Sequence, residues 1–510
     1  MKNLSRRTFL ANSALALAAT RLPAQTKATQ ITLKIAGEAN GPHVPEDFVG
    51  LSYEVQQLND PTFFSPSNTG LIAQFRALSK NGVLRLGGNT SEFGWFQPTP
   101  ESPEPEHPHT REVTGEPKAK YYSVTGQAVR NLAAFLEKTG WTCLYGIGMG
   151  TNTPARAAEE AEYVHKTLGS RLQYFQIGNE VDLFGHHLRD PKTWNADTYL
   201  KEWLTLAHAI MAKVPDAKFG MPDVAGNISW LTEIANQWGS VENPPHVTRL
   251  THHYYFGGPA TNPNVNIPNL MKPETMAKVQ KNADIANAAA KKMGVRLRMT
   301  EGNTCYRGGK PGVSDVFAAA LWAADYSLLL ASNNYSGINL HGGTGKSVAN
   351  SVGGFLPGDV MLKEQGATPE QIASHPHPFY TPIATFGDKY ETEPVGCGLK
   401  FAGSFAGARL ILSNLAEQLS SAGANVTAYA ARLSNGATSV ILLNKDLEKD
   451  AEITLHFPVK HGSVEIETLH APAIDSREAH ITREAQTEHL KAGKHTVKLP
   501  HASGLRVTVA

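Results

Sequence analysis

A parallel (β/α)8 barrel joined to a separate β-sandwich is the fold class this sequence predicts, on three observations. Eight short strand-like runs alternate with helix-like runs between Phe48 and His341, and such alternation implies a parallel sheet with right-handed crossovers. After His377 the texture changes to short alternating runs separated by turns, with Asn435-Gly436 marking a hairpin. The chain of 510 residues is also too long for one hydrophobic core, which rarely grows past roughly 250 to 300 residues. A doubly wound nucleotide-binding sheet lacks its signal, since no Gly-x-Gly-x-x-Gly follows any of the strand-like runs.

Taken in order, the chain begins with an address. Ser5-Arg6-Arg7-Thr8-Phe9-Leu10, a short apolar run and Leu22-Pro23-Ala24 have the pattern of a twin-arginine export leader cut near Ala24. The expected location is periplasmic or secreted, with no membrane anchor, because the apolar run is too short to span a bilayer. Residues 30–36 alternate Ile31, Leu33 and Ile35 with polar residues, as a half-exposed strand does; this strand is assigned to the distant sandwich. The barrel strands are then expected at 48–54, 83–88, 142–147, 172–180, 218–223, 247–255, 295–301 and 336–341. Helices are expected between them at 68–80, 126–139, 154–168, 196–213, 229–238, 273–293 and 314–332. Thr153-Pro154 supplies a cap followed by proline at the first helical position. Residues 98–117, dense in proline, glutamate and histidine, read as a long loop walling a cleft. The resulting domain reading is 1–24 leader, 25–46 sandwich strand, 47–376 barrel and 377–510 sandwich. One strand resists simple alternation. Glu301 is in register with Leu297 and Met299, while Arg296 and Arg298 occupy the other face, so a bulge near the strand end or partners for the arginines is required.

Composition excludes several functions. Lys and Arg number 47 against 46 Asp and Glu, a formal charge of +1, so no overall basic field exists to hold nucleic acid. The three cysteines, Cys143, Cys305 and Cys397, form neither a metal-ligand spacing nor a disulfide framework. Histidine pairs 107/109, 186/187 and 375/377 lie in loops without a carboxylate framework, so no metal is expected, and no cofactor motif is present.

Two carboxylates stand out, Glu180 after Gly178-Asn179 and Glu301 after Met299-Thr300, each closing a strand-like run. Parallel barrels bring strand C-terminal ends into one cleft, and a glycosidic bond breaks when one carboxyl protonates the leaving oxygen while another attacks the anomeric carbon. Taken with Leu51-Ser-Tyr-Glu54, Leu84-Arg-Leu-Gly-Gly88 and His252-His-Tyr-Tyr255, these motifs resemble, in the same order, the retaining glycoside hydrolases of clan A, family 79, which contains heparanases and β-glucuronidases. The resemblance runs from about Phe48 to His341 and continues into the β module. It implies Glu180 as acid/base, Glu301 as nucleophile and Asn179 on the sugar 2-hydroxyl. It also implies Glu54 lining the pocket, and the first histidine and first tyrosine of the sixth strand, His252 and Tyr254, facing the site. Tyr306 and Gly308 stand where the family reads a uronate carboxylate; Tyr380 is either a further hydroxyl for it or a core aromatic, and His341 reads as a satisfied rim histidine. The expected activity is a retaining exo-β-glucuronidase acting on glucuronate-containing glycans. Another clan A activity, β-xylosidase or endo-β-glucuronidase, and a catalytically silent carbohydrate-binding protein remain alternatives, and the oligomeric state is open.

Overall fold

The computed structural model describes residues 28–108, 121–373, 378–387, 389–420, 423–485 and 488–510. The export leader and His109, His375 and His377 lie outside them. The first strand, β1 (Thr29–Lys34), is followed by β2 (Val49–Glu54) and β3 (Val83–Gly87), then by a small parallel pair, β4 (Gly94–Gln97) and β5 (Tyr122–Thr125). Then come β6 (Thr142–Ile147), β7 (Leu172–Ile177), β8 (Lys218–Val224), β9 (His246–Tyr255), β10 (Arg296–Asn303) and β11 (Tyr335–His341). Eight of these close a parallel barrel in the order β2-β3-β6-β7-β8-β9-β10-β11, with β11 returning to β2. The expected (β/α)8 architecture is therefore the observed one.

Strands buried on both faces need a plug inside and helices outside. Tyr174, Val83 and Leu144 form an apolar cluster of their own, and the Tyr174 ring fits because Gly220 offers no side chain; a Cβ there would lie 2.4 Å from it. Phe175 and Ile177, with the opposite parity, join the large cluster shared with the helices. The arginine puzzle on β10 resolves in both of the ways required. Arg298 turns inward and donates to Asn339 Oδ1 at 2.7 Å and Ser336 O at 3.4 Å, in space left by Gly337, where a Cβ would meet its Nη1 at 2.2 Å. The pairing register with β9 slips between Met299 and Glu301. That bulge lets Thr300 and Glu301 both serve the inner face while Met299 packs outward.

The sandwich packs a three-stranded sheet on a seven-stranded one. In the former, β1 runs parallel to Ala451–His456, which pairs antiparallel with Lys494–Leu499. Ile31, Leu33, Val440, Leu442, Ile453, Leu455 and Val507 share the core between the sheets. The apolar helix Phe317–Ser332 lies between barrel and sandwich, which is why it has no polar face. It meets helix Pro394–Ala402 so closely that a Cβ on Gly398 would stand 2.0 Å from Ala320 O. Its one acid, Asp325, accepts from Lys445 at 2.5 Å, Tyr429 at 2.7 Å and Thr427 at 2.9 Å, which ties the second domain to the first. Pro394–Ala402, Leu415–Ser420 and three short helices at Gly345–Ser351, Pro357–Glu364 and Pro369–Ala373 are additions to the sequence reading; all are too brief to show a helical period.

Candidate active site

The site is built around a guanidinium. Arg85 lies mid-strand on β3 and is 1% exposed, and a buried charge must find partners. Its Nη1 donates to Glu301 Oε2 at 2.6 Å and Ser52 Oγ at 3.0 Å, and its Nη2 to Asp223 Oδ2 at 2.5 Å and Asn179 Oδ1 at 2.6 Å. One side chain thus fixes groups from four strands or their ends. The sequence carried a signal for it, a lone cation inside the apolar run Leu84-Arg85-Leu86.

Glu180 follows β7 with φ 49°, a left-handed conformation that costs a non-glycine residue of order 1–3 kcal/mol. It is held there from two sides: Glu180 N donates to Asp223 O at 2.8 Å, and His253 Nδ1 stands 3.0 Å from its Oε1. Asp223 is likewise left-handed, with φ 63°. Glu92 supports the same turn from outside the barrel axis. Its buried carboxylate accepts the backbone N–H groups of Asn179 at 2.8 Å, Met149 at 2.8 Å and Gly150 at 2.5 Å. Glu92→Gln would turn an NH2 toward one of those donors and leave it unsatisfied. The expected loss of stability is about 1–3 kcal/mol, readable as a lower urea midpoint; an unchanged midpoint would remove this role for Glu92.

Glu301 receives Tyr255 OH on Oε1 at 2.7 Å and Arg85 on Oε2, with His341 Nδ1 3.5 Å away. A carboxylate oxygen of Glu180 and one of Glu301 lie within 4.8 Å of each other. Their environments push them apart in proton affinity. Burial raises Glu180 above the usual carboxylate range, and the charge of Glu301 adds to it, against the bond from His253. Burial acts on Glu301 in the same direction, but His341, His253, Arg85 and the Tyr255 hydroxyl outweigh it and hold it low. The Glu180 side chain is 15% exposed and that of Glu301 7%, so the carboxyl with the raised proton affinity is nearer the opening.

His253 joins the two. Its Nδ1 faces Glu180 at 3.0 Å and its Nε2 faces Asp223 at 3.1 Å, an arrangement that favours a proton on each ring nitrogen. Burial opposes that charge, yet Asp223 and Glu301 raise its pKa to about 10. Among the described residues Glu180, His253 and Glu301 are the group spaced to hold a metal ion, but a ligand histidine must be deprotonated, and here both nitrogens are committed to carboxylates.

The remaining expected residues divide. Asn179 sits in the site, its Oδ1 accepting from Arg85 and from Gly88 N at 3.1 Å. Glu54 is 2% exposed and accepts from Thr90 N at 3.0 Å and Thr90 Oγ1 at 2.6 Å, with His341 Nε2 3.4 Å away. Gly88, at φ 74°, must lack a side chain because a Cβ would stand 2.2 Å from Glu54 Oε2. The Tyr380 ring lies 6.3 Å from Tyr255 and 5.7 Å from His341. Tyr306 is 41% exposed at the rim, its ring edge-on to Tyr255 at 6.1 Å, and Gly308 follows with φ 86°. His341 bridges Ser52, Glu54 and Glu301, which makes it part of the site rather than a rim residue.

The histidine and tyrosine of β9 require a correction. His252 and Tyr254 do not face the cleft. His252 Nε2 meets Tyr335 OH at 2.6 Å, burial lowers its pKa to about 4, and Tyr254 packs on Tyr326 in the helix layer. His253 and Tyr255 hold the expected positions, one residue later. Alternation from Thr251, which accepts from the inward Gln176, places odd-numbered residues inside, and with both faces of β9 buried no polarity difference announces the phase.

No protein-family model matches the chain. It is similar to β-glucuronidases of Aspergillus niger, 26% identical over 322 residues, and Neurospora crassa, 27% identical over 288 residues. These alignments cover 58% and 51% of this chain. The chain matches about half of those relatives' length, 56% and 50% respectively. Among solved structures, a 4-O-α-L-rhamnosyl-β-D-glucuronidase from Fusarium oxysporum superposes with TM-score 0.69 at 18% identity, covering 94% of this chain and 100% of the other. A GH51 arabinofuranosidase from Xanthomonas axonopodis pv. citri gives 0.63 at 14% identity, covering 94% and 99%. Both likenesses concern the fold.

Proposed function

We propose that this chain is a retaining β-glucuronidase that removes terminal β-D-glucuronate from glycans or glycoconjugates. The observation that carries the reading is the approach of Glu180 and Glu301 within 4.8 Å, with opposite shifts in proton affinity. Retaining enzymes hold their carboxyls about 5–5.5 Å apart, and inverting ones about 6.5–9.5 Å. Ionised Glu301 attacks the anomeric carbon as the bond to the leaving oxygen breaks, and Glu180 gives that oxygen its proton. A covalent glycosyl-enzyme results. Glu180, now a carboxylate beside imidazolium His253, takes a proton from water, whose oxygen displaces Glu301 and releases the sugar with its configuration retained.

Selection of an acidic sugar is assigned to the Tyr380 hydroxyl with Tyr306 and the backbone of Gly308, since hydrogen bonds to an anion are stronger than neutral ones. Similarity to two β-glucuronidases supports this choice over the arabinofuranoside suggested by other structural neighbours. The test is turnover of 4-nitrophenyl β-D-glucuronide against the β-glucoside and β-xyloside. The glucuronide is expected to dominate, and Tyr380→Phe to lower its kcat/KM on the order of 10–100-fold, the worth of one charged hydrogen bond, while leaving the glucoside unchanged. Equal or faster turnover of a neutral glycoside removes the carboxylate argument, and no turnover of any glycoside favours a silent binding protein.

A further inference from the structure

Tyr254, displaced from the catalytic cleft by the phase of β9, opens on something else. It is 4% exposed, and its hydroxyl has no hydrogen-bond partner among the described residues. The hydroxyl itself is covered and does not open on solvent. The ring borders a cleft of about 300 Å³ on the outer side of the barrel, bounded by Tyr254, Phe256, Asn269, Lys272, Thr275 and Lys278. That volume is at the lower end of small-ligand sites, roughly 300–1,000 Å³.

We propose that this cleft is a second saccharide site, taking one acidic sugar unit of the glycan. Its chemistry matches such a ligand point by point. Phe256 offers aromatic surface on which a pyranose face packs. Lys272 and Lys278 offer ammonium groups for a carboxylate; Lys272 Nζ spends one proton on Asn269 Oδ1 at 2.7 Å and keeps two. Lys278 Nζ lies over the Tyr254 ring, 5.9 Å from its centre. Glu274 is the acid among the lining residues, so the cations outnumber it two to one.

The cleft is also joined to the catalytic rim through backbone. Phe256 N donates to Asn303 O at 3.2 Å, Gly257 N to Thr304 O at 3.1 Å, and Tyr306 N to Gly258 O at 2.9 Å. One wall of the outer cleft is therefore hydrogen-bonded to the strap carrying Tyr306 and Gly308. A glycan unit held there sits behind the catalytic opening rather than in it, because Tyr254 and Tyr255 project from opposite faces of β9. The choice of an acidic sugar as ligand rests on the function proposed above; the presence of a site does not.

The experiment reads the cleft directly. Full-length protein labelled with 3-fluorotyrosine is titrated with methyl β-D-glucuronide and, separately, methyl β-D-glucoside, following the fluorine resonance that disappears in Tyr254→Phe. The glucuronide is expected to shift that resonance and the glucoside to leave it in place. In Lys278→Met, an exposed substitution, the apparent affinity read at Tyr254 is expected to fall about tenfold, as loss of a charged contact implies. No shift with either glycoside, equal shifts with both, or an unchanged affinity in Lys278→Met overturns the proposal. Resonances of Tyr255, Tyr306 and Tyr380 report the catalytic cleft in the same spectra. Shifts there alone overturn the outer site and leave the function proposed above standing, whereas a Tyr254 shift alone does the reverse.

Discussion

Glu301→Gly is expected to abolish turnover of 4-nitrophenyl β-D-glucuronide, by on the order of 10⁴–10⁶-fold as for loss of other covalent nucleophiles, and azide is expected to restore it with α-glucuronosyl azide as product. The substitution removes the carboxylate proposed to attack the anomeric carbon and leaves a hole beside Arg85, Tyr255 and His341, where a small anion is welcome. Azide entering there attacks from the α side once, while Glu180 protonates the phenolate, and a single displacement inverts. In Glu180→Gly the intermediate forms from the activated glycoside without an acid, and azide arriving from the opposite face gives the β-azide. The pair of products therefore assigns the two carboxylates separately. Undiminished activity in Glu301→Gly, or a β-azide from it, removes Glu301 as nucleophile. The pH profile carries the same assignment: kcat/KM should fall on the alkaline side as Glu180, raised by burial, loses its proton, and on the acid side as Glu301, held low, gains one.

How much of this was readable in the chain depends on whether a residue's environment leaves a local trace. The barrel strands and most helices were legible because each alternation of period is local, and Pro273–Met293 and Ala196–Lys213 carry it over many turns. Glu180 and Glu301 were legible through the residues beside them. The facing of β9 was not, since a strand buried on both sides shows no polar phase. The bulge at Thr300 was legible only as a register conflict between Glu301 and the arginines of β10, because its exact place arises from pairing with strands far away in sequence. Arg85 announced itself as a charge in an apolar strand, but its partners Asp223 and Glu301 lie 138 and 216 residues on. Glu92 gave no signal at all, because it bonds backbone amides, which any sequence supplies.

Arg85 is also where stability and catalysis are most tightly joined, and Arg85→Met tests both. The buried network holds two carboxylates with ionised partners, Asp223 and Glu301, against two cations, Arg85 and His253. Methionine fills similar space but leaves one carboxylate uncompensated in a region that excludes water, and breaking a buried pair from one side costs about 3–5 kcal/mol. The pH dependence of that cost has a definite sign. Glu301 and Asp223 are held below the usual carboxylate range in the folded chain, so the stability they contribute is present above the unfolded values and is lost as pH falls through the folded ones. Removing Arg85 raises both folded values. The gap between wild type and variant should thus be widest near neutrality and narrow on acidification, as urea midpoints over a pH series will read. In the variant that still folds, the acid limb of kcat/KM should move to higher pH, since Glu301 now takes up its proton sooner. A midpoint equal to wild type at neutrality, or a gap that widens toward low pH, would mean that the guanidinium is not what keeps Glu301 ionised, and His253 with His341 would have to hold it alone.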